Sequence, residues 1–266
     1  MTVGLLILAY PTISDMWNQN HASKLIDDYE IYVDDMSDDL YEEYYIDAEE
    51  YNNNLVNDVS RFEPTEESHE KYMSLLDITG TGIMCYVEIP KIEVLLPVYH
   101  TTEDSVLQTA LGHIEGSSLP IGGSSTHSAI SGHTGMVSAK LLTSLDKIEI
   151  GDQFYIHILK QSRLYEVDRI DIVLPEETEL LDIVPDKDYC TLITCTPYGV
   201  NSHRLLVRGK FIEVIEEDKA EEEANIIKNT TENKTSKTFN DISIIIILII
   251  ILLILIIRYI RGRKSD

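Results

Sequence analysis

Cys195 is a candidate nucleophile by its surroundings in the sequence. It lies in Thr191-Leu-Ile-Thr-Cys-Thr-Pro-Tyr-Gly199, at the end of an apolar run and just before a turn marked by Pro197 and Gly199. A thiol so placed reaches the rim of a sheet, where a nearby base or cation would make it a nucleophile. Two residues could supply that help. His133, in Ser131-Gly-His-Thr-Gly135, is flanked by glycines that let the backbone turn sharply and set the imidazole against another element as a general acid or base. Arg204 follows Cys195 by nine residues and opens Arg204-Leu-Leu-Val-Arg-Gly209. If residues 196–203 form a hairpin-like loop, Arg204 returns to the rim that carries Cys195. A guanidinium there can stabilise an oxyanion or hold a substrate carbonyl. Each residue also has an ordinary reading: a buried small hydrophobe, a hydrogen-bonded loop histidine and a surface salt bridge.

The remaining chemistry-bearing residues are quieter. His100, His113 and His127 show no HxH, HExxH or CxxC spacing, which argues against a zinc site, and no cofactor is expected. The Gly-rich stretch 116–125 has no GK[ST] after it and no helical pattern, so it reads as a connecting loop. Cys190 sits five residues before Cys195, near the beginning of the same strand, where core packing is its expected role. A Cys85–Cys190 disulfide stays open.

The elements that must position these residues follow from periodicity. From residue 86 the chain shows short β-type runs at 86–89, 94–99, 128–131, 153–159, 164–174, 190–195 and 204–213. Turn signals such as Gly122-Gly123, Gly151-Asp152 and Pro185-Asp186 lie between them. Many short strands with little helix predict a closed or nearly closed β-barrel. Upstream, Leu25, Tyr29, Tyr32 and Met36 recur at near-helical spacing, as do Leu40, Tyr44, Ala48, Tyr51 and Leu55, predicting about two amphipathic helices.

Charge divides the chain further. Its 266 residues carry a net charge of −25. Residues 1–80 hold nineteen acidic and three basic side chains, which reads as a solvated helix face. A chain this acidic has no Lys/Arg surface for phosphates, which argues against nucleic-acid binding. Three cysteines rule out a disulfide scaffold. Residues 244–257 are fourteen consecutive Ile and Leu, and with 242–243 the stretch is sixteen residues long. As a helix that is roughly 24 Å, slightly short of the about 30 Å hydrocarbon core of a bilayer. Arg258 can snorkel and Tyr259 can sit at the interface. The basic tail that follows predicts a cytoplasmic C-terminus, with everything before Asp241 facing outward. Residues 3–10 form a second apolar stretch closed by Pro11. It reads either as the remnant of a transmembrane or signal segment or as a short buried terminal segment. The expected organisation is a hydrophobic remnant at 1–14, an acidic helical lid region at 15–80, a β-barrel at 81–213, a polar stalk at 214–240, a transmembrane helix at 241–260 and a basic cytoplasmic tail at 261–266.

TLITCTPYGVNSHRLLVRG (191–209) closely resembles the signature of sortases, specifically the pilus-assembling class C branch. Three further segments match that branch in the same order: VEIPKIEVLLPVY (87–99), LGHIEGSSLPIGGSSTHSAISGHTG (111–135) and AKLLTSLD (139–146). The resemblance covers about residues 86–213. It implies a mainly-β fold, an eight-stranded sortase barrel with an N-terminal helical lid region and a C-terminal transmembrane helix. It also implies a cysteine transpeptidase in which Cys195 is the nucleophile, His133 the acid/base and Arg204 the substrate-orienting, oxyanion-stabilising residue. The substrates implied are pilin subunits bearing LPXTG-like sorting signals, cleaved at Thr–Gly through a thioacyl enzyme and passed to a pilin lysine. Thr194 and Tyr198, which flank the nucleophile, are expected in the substrate groove. Membrane lipid would be met through the C-terminal helix, with the catalytic part outside the cell membrane. Within the family the alternative is a cell-wall-anchoring enzyme that uses a peptidoglycan amine. Outside catalysis, it is a membrane-tethered binding module on the same barrel. One departure stands out. Class C sortases usually carry a lid with an Asp-Pro-aromatic motif, whereas residues 57–64 here read NDVSRFEP. Phe62 is the expected aromatic plug, and Asp58 or Glu63 the expected partner of Arg204.

Overall fold

The computed structural model describes residues 2–136 and 139–215, with side chains from Tyr10 onward. The expected transmembrane helix, the basic tail and all but the first two residues of the stalk lie outside the described residues. Eight strands close into a barrel: β1 (Ile83–Ile89), β2 (Val94–His100), β3 (Leu111–His113), β4 (Thr126–Ser131), β5 (Gln153–Ile158), β6 (Gln161–Val173), β7 (Asp188–Thr196) and β8 (His203–Ile215). Around the barrel they run β1-β2-β3-β4-β7-β8-β6-β5. The pairs β2/β3 and β4/β7 are parallel and the others antiparallel. The seven β-type runs of the sequence all fall on strands. The eighth, β3, is three residues of Leu-Gly-His, too short to carry a period.

Alternate side chains fill the barrel. Val87, Val98, Ile130, Ile156, Leu192, Leu205 and Val207 face inward and are buried in one continuous core. Cys85 and Cys190 lie in the same core as free thiols. Burial pushes both well up from the ordinary thiol value, so they are inert protonated packing groups.

Three helices precede the barrel: α1 (Thr2–Asp34), α2 (Asp38–Leu55) and α3 (Glu66–Ser74). The two predicted helices are thus joined by a third. α1 also continues back through Pro11 without a boundary there or near residue 14, at the loss of the hydrogen bond that the proline nitrogen cannot make. Ala22, Ile26, Tyr29 and Val33 form its buried stripe, continued by Met36 just past its end, so the expected Tyr32 is turned to solvent. Among the described residues no helix is long and apolar enough to cross a membrane. The starts of α2 and α3 are set by local chemistry. The Ser37 hydroxyl accepts the Leu40 N–H ahead of Asp38 and Asp39, and Thr65 and Ser68 form a reciprocal capping box.

Three buried side chains tie the helices to the barrel through its backbone. The Tyr29 hydroxyl donates to the Met84 carbonyl at 3.1 Å and accepts the Leu159 N–H at 2.9 Å, joining α1 to β1 and to the β5–β6 hairpin. The Asn52 side chain of α2 makes a two-way bridge with the backbone of Leu119, at 3.1 and 2.6 Å. Tyr72 of α3 donates to the His113 carbonyl and accepts the Thr101 N–H. These groups are buried, so losing one leaves backbone polar atoms unsatisfied. Tyr29→Phe is expected to cost about 1–3 kcal/mol, read as a lower urea midpoint with an unchanged slope.

Candidate active site

The site is built by the register of three adjacent strands. β7 alternates strictly: Cys190, Leu192 and Thr194 turn inward, while Tyr189, Thr191, Ile193 and Cys195 turn outward. Antiparallel β8 places Arg204 directly opposite Cys195, Leu206 opposite Ile193 and Arg208 opposite Thr191. Parallel β4 sets Ser131 beside Ile193, and the Gly132 N–H continues the ladder by donating to the Ile193 carbonyl at 3.0 Å. β4 ends at Ser131, and two further steps of the same register would set His133 opposite Cys195. The structure pairs Cys195 with Arg204 at one end of the sheet, and His133 lies in the turn that follows β4 at that same end. The expected hairpin-like return of residues 196–203 is present, closed by the Val200 and Asn201 N–H groups on the Pro197 carbonyl.

Each of the three is unencumbered. Cys195 is a free, partly exposed thiol, unlike the two core cysteines. Among the described residues no hydrogen bond is made to the His133 ring. The Arg204 guanidinium donates only to the carbonyls of Asn201 and His203, at 3.3 and 3.1 Å, and forms no ion pair among the described residues.

The flanking residues separate. Thr194 is not a groove residue: strand alternation turns it into the barrel, 4% exposed, where its hydroxyl donates to the Gly132 carbonyl at 2.8 Å. It fastens the His133 loop to the Cys195 strand. Tyr198 stays at the surface, 71% exposed, with its ring against Gly135, φ +75°. A Cβ on Gly135 would lie 2.9 Å from that ring, so glycine is required both for the turn and for the close approach.

Away from the three residues, the same outer face becomes apolar. Ala129, Ile193, Leu206 and Leu181 form a small buried cluster outside the barrel, walled by Ile114, Val173 and Leu180. Phe62 packs on it, two strand positions along from Cys195 and Arg204. Arg61 holds it there. Its guanidinium lies 4.5 Å over the Phe62 ring and donates to the Leu181 carbonyl at 3.2 Å and to Asp182 at 3.0 Å. The Arg61 carbonyl abuts Gly116, where a Cβ would sit 2.0 Å from that oxygen. Farther along, His127 hydrogen-bonds the Asp182 carbonyl and the Thr191 hydroxyl, and burial pulls it down to about 4, so the ring is neutral.

The expected pairing of Asp58 or Glu63 with Arg204 does not occur. Asp58 spends an oxygen on the Ser60 N–H and hydroxyl, both at 2.8 Å, in a local turn. Glu63 is exposed and forms no side-chain hydrogen bond or ion pair among the described residues. The charge that docks this segment is the cation of Arg61, which sequence reading passed over. The only signal for it was a lone basic residue in a strongly acidic stretch. Ala129, Ile193 and Leu206 were readable by stepping back two residues at a time from the strand ends.

The sortase-domain family model matches residues 87–212, all eight strands but the first residues of β1 and the end of β8. Sortase C1 of Streptococcus agalactiae is 47% identical and superposes with a TM-score of 0.69, covering 71% of this chain and 98% of that one. The chain belongs to the sortase family, in its class C branch. Sortase C-1 of Actinomyces oris is 44% identical, with a TM-score of 0.60 over 64% of this chain and 97% of that one. The sortase C of Clostridium perfringens, solved with the C-terminal cell wall sorting motif, is 39% identical, with a TM-score of 0.62 over 72% of this chain and all of that one. Among curated relatives, Sortase D of Bacillus subtilis is 28% identical over 49% of this chain, and the match spans 63% of that protein's length.

Thr194→Val removes the bond between the two loops while keeping shape. It is expected to cost about 1 kcal/mol and to speed amide hydrogen exchange at Gly132 and Leu142 more than elsewhere in the barrel. Uniform exchange changes would contradict a local fastening role.

Proposed function

We propose that this sortase is a membrane-anchored cysteine transpeptidase that assembles pilin subunits. Cys195 Sγ, as thiolate, attacks the Thr–Gly carbonyl of an LPXTG-like sorting signal. Arg204 stabilises the oxyanion that forms. His133 protonates the departing amine, leaving the Thr carbonyl as a thioester on Cys195. A pilin lysine amine then attacks the thioester, His133 takes its proton, and an isopeptide bond forms as Sγ leaves. The observation that supports this reading is the pairing of Cys195 with Arg204 across β7 and β8, with His133 in the turn after β4 at the same end and a guanidinium that forms no ion pair among the described residues. The sorting motif seen with the Clostridium perfringens sortase C supports the substrate class, and the sortase C neighbours support a pilin partner. The apolar run at 244–257 and the basic tail support an anchor in the cell membrane with the barrel outside.

The full chain in detergent is expected to cleave an LPXTG-type peptide and to carry its Thr-terminated fragment as a Cys195 adduct by mass spectrometry, with none on Cys195→Ala. Absence of adduct and of cleavage with both the wild type and Phe62→Ala would leave a non-catalytic module as the reading. Adding a lysine-bearing pilin domain or a peptidoglycan-type amine as acceptor distinguishes assembly from wall anchoring. Product with the second alone overturns the pilin assignment.

Phe62 is the lid residue in this reading. Its seat on the cluster of Ala129, Leu181, Ile193 and Leu206 borders the face along which an extended sorting signal would lie. Phe62→Ala is expected to raise the rate of Cys195 alkylation by a thiol reagent several-fold, and Arg61→Ala to act in the same direction. Unchanged labelling in both variants counts against the lid.

A further inference from the structure

Arg61 sits in a niche whose acceptors come from a distant segment. Its side chain is only 8% exposed. The guanidinium donates to the Leu181 carbonyl at 3.2 Å and to the Asp182 carboxylate at 3.0 Å, and lies over the Phe62 ring. Both acceptors belong to the connection between β6 and β7, where residues 174–186 hold five acidic side chains and no basic one. The groups beneath add no opposing charge. The Asp182 carbonyl bonds the His127 ring, which burial pulls down to about 4 and so keeps neutral. Arg208, opposite Thr191, is spent on Asp168 through two hydrogen bonds of 2.9 Å. The niche is thus made to take a cation.

Its place along the strand says which cation could take it besides Arg61. The His127 ring that meets the Asp182 carbonyl also bonds the Thr191 hydroxyl, so Asp182 stands near the Thr191 level of β7. Thr191 is four residues from Cys195, roughly 13 Å along a strand. In an extended Leu-Pro-X-Thr-Gly signal whose Thr carbonyl meets Cys195, the residue before Leu is also four residues from Thr. That residue reaches the niche when the Leu takes the Ala129, Ile193 and Leu206 cluster on which Phe62 now packs. The chain order agrees. Arg61 directly precedes Phe62, as this residue directly precedes the Leu.

We propose that Asp182 and the Leu181 carbonyl form a specificity site for a Lys or Arg directly before the sorting motif, a site that Arg61 fills while the lid is closed. The inference rests on the transpeptidase reading and adds to it a substrate residue outside the five-residue motif. A cation there gains the carboxylate and the carbonyl that Arg61 gives up, whereas a Glu meets Asp182 as a like charge.

The full chain in detergent is given three peptides that differ only in the residue before Leu: Lys, Gln or Glu. Wild type and Arg61→Ala are expected to favour Lys over Gln about three- to fivefold in kcat/KM at low salt, with Glu below Gln. The difference should lie in KM rather than kcat, and about 0.5 M salt should shrink it. Asp182→Asn should bring the Lys-to-Gln ratio close to one, and so should moving the Lys two residues upstream with wild type. Equal rates on all three peptides with both wild type and Arg61→Ala overturn the site and leave the sortase reading standing. A Lys preference that survives Asp182→Asn, or follows the Lys upstream, belongs to the acidic segment as a whole and also overturns the proposal. Cleavage of no peptide by wild type, Arg61→Ala or Phe62→Ala overturns the transpeptidase reading and the site with it.

Discussion

The candidate site depends on β7 being hydrogen-bonded along both edges, to β4 in parallel and to β8 in antiparallel register. A slip of one residue in either ladder would bury Cys195 and expose Thr194, because side chains alternate faces strictly. Nothing at the rim prevents such a slip. What prevents it is the interior: Leu192, Ile130 and Val207 meet inside the barrel only in the observed register. The outward direction of the thiol is inherited from core packing a few residues away. Thr194 then adds a local lock, since the inward alternation that removes it from the groove also puts its hydroxyl on the Gly132 carbonyl.

The parallel pairing of β4 with β7 has a second consequence. Parallel neighbours cannot be joined by a hairpin, so the chain must leave and return. That excursion contains β5, β6 and the short helical turn Glu179–Leu181, and the turn supplies Leu180 and Leu181 to the apolar face beside the three rim residues. One topological requirement thus furnishes both the turn that carries His133 at the Cys195 end of the sheet and a wall of the face where Phe62 sits.

Much of this was legible before any coordinates. The strands with a full period-two pattern were readable, and so were the three rim residues, because a sharp Gly-flanked turn and a hairpin return are local signals. What escaped depended on contacts between distant segments. β3 is too short to show a period, and it exists because Leu111 and His113 find buried places between β2 and β4. Tyr32 lost its place in the helix face to Val33 because the packing direction of α1 is decided by the barrel, as when Tyr29 reaches Met84 and Leu159. Thr194 was misassigned by proximity in sequence, where strand alternation alone would have turned it inward.

The segment over the apolar face is held differently from what the family resemblance implies, and the difference has an energetic meaning. A lid carboxylate on Arg204 would have to be displaced by the very carbonyl that Arg204 is proposed to hold. Here the polarity is reversed: the lid contributes the cation, Arg61, and the barrel side contributes Asp182 and the Leu181 carbonyl. Asp182 is largely exposed, so solvent screens that pair and it is worth only about 0–1 kcal/mol. Most of the hold must therefore come from burying Phe62, about 1.5–3 kcal/mol for a full aromatic side chain and less for one partly buried.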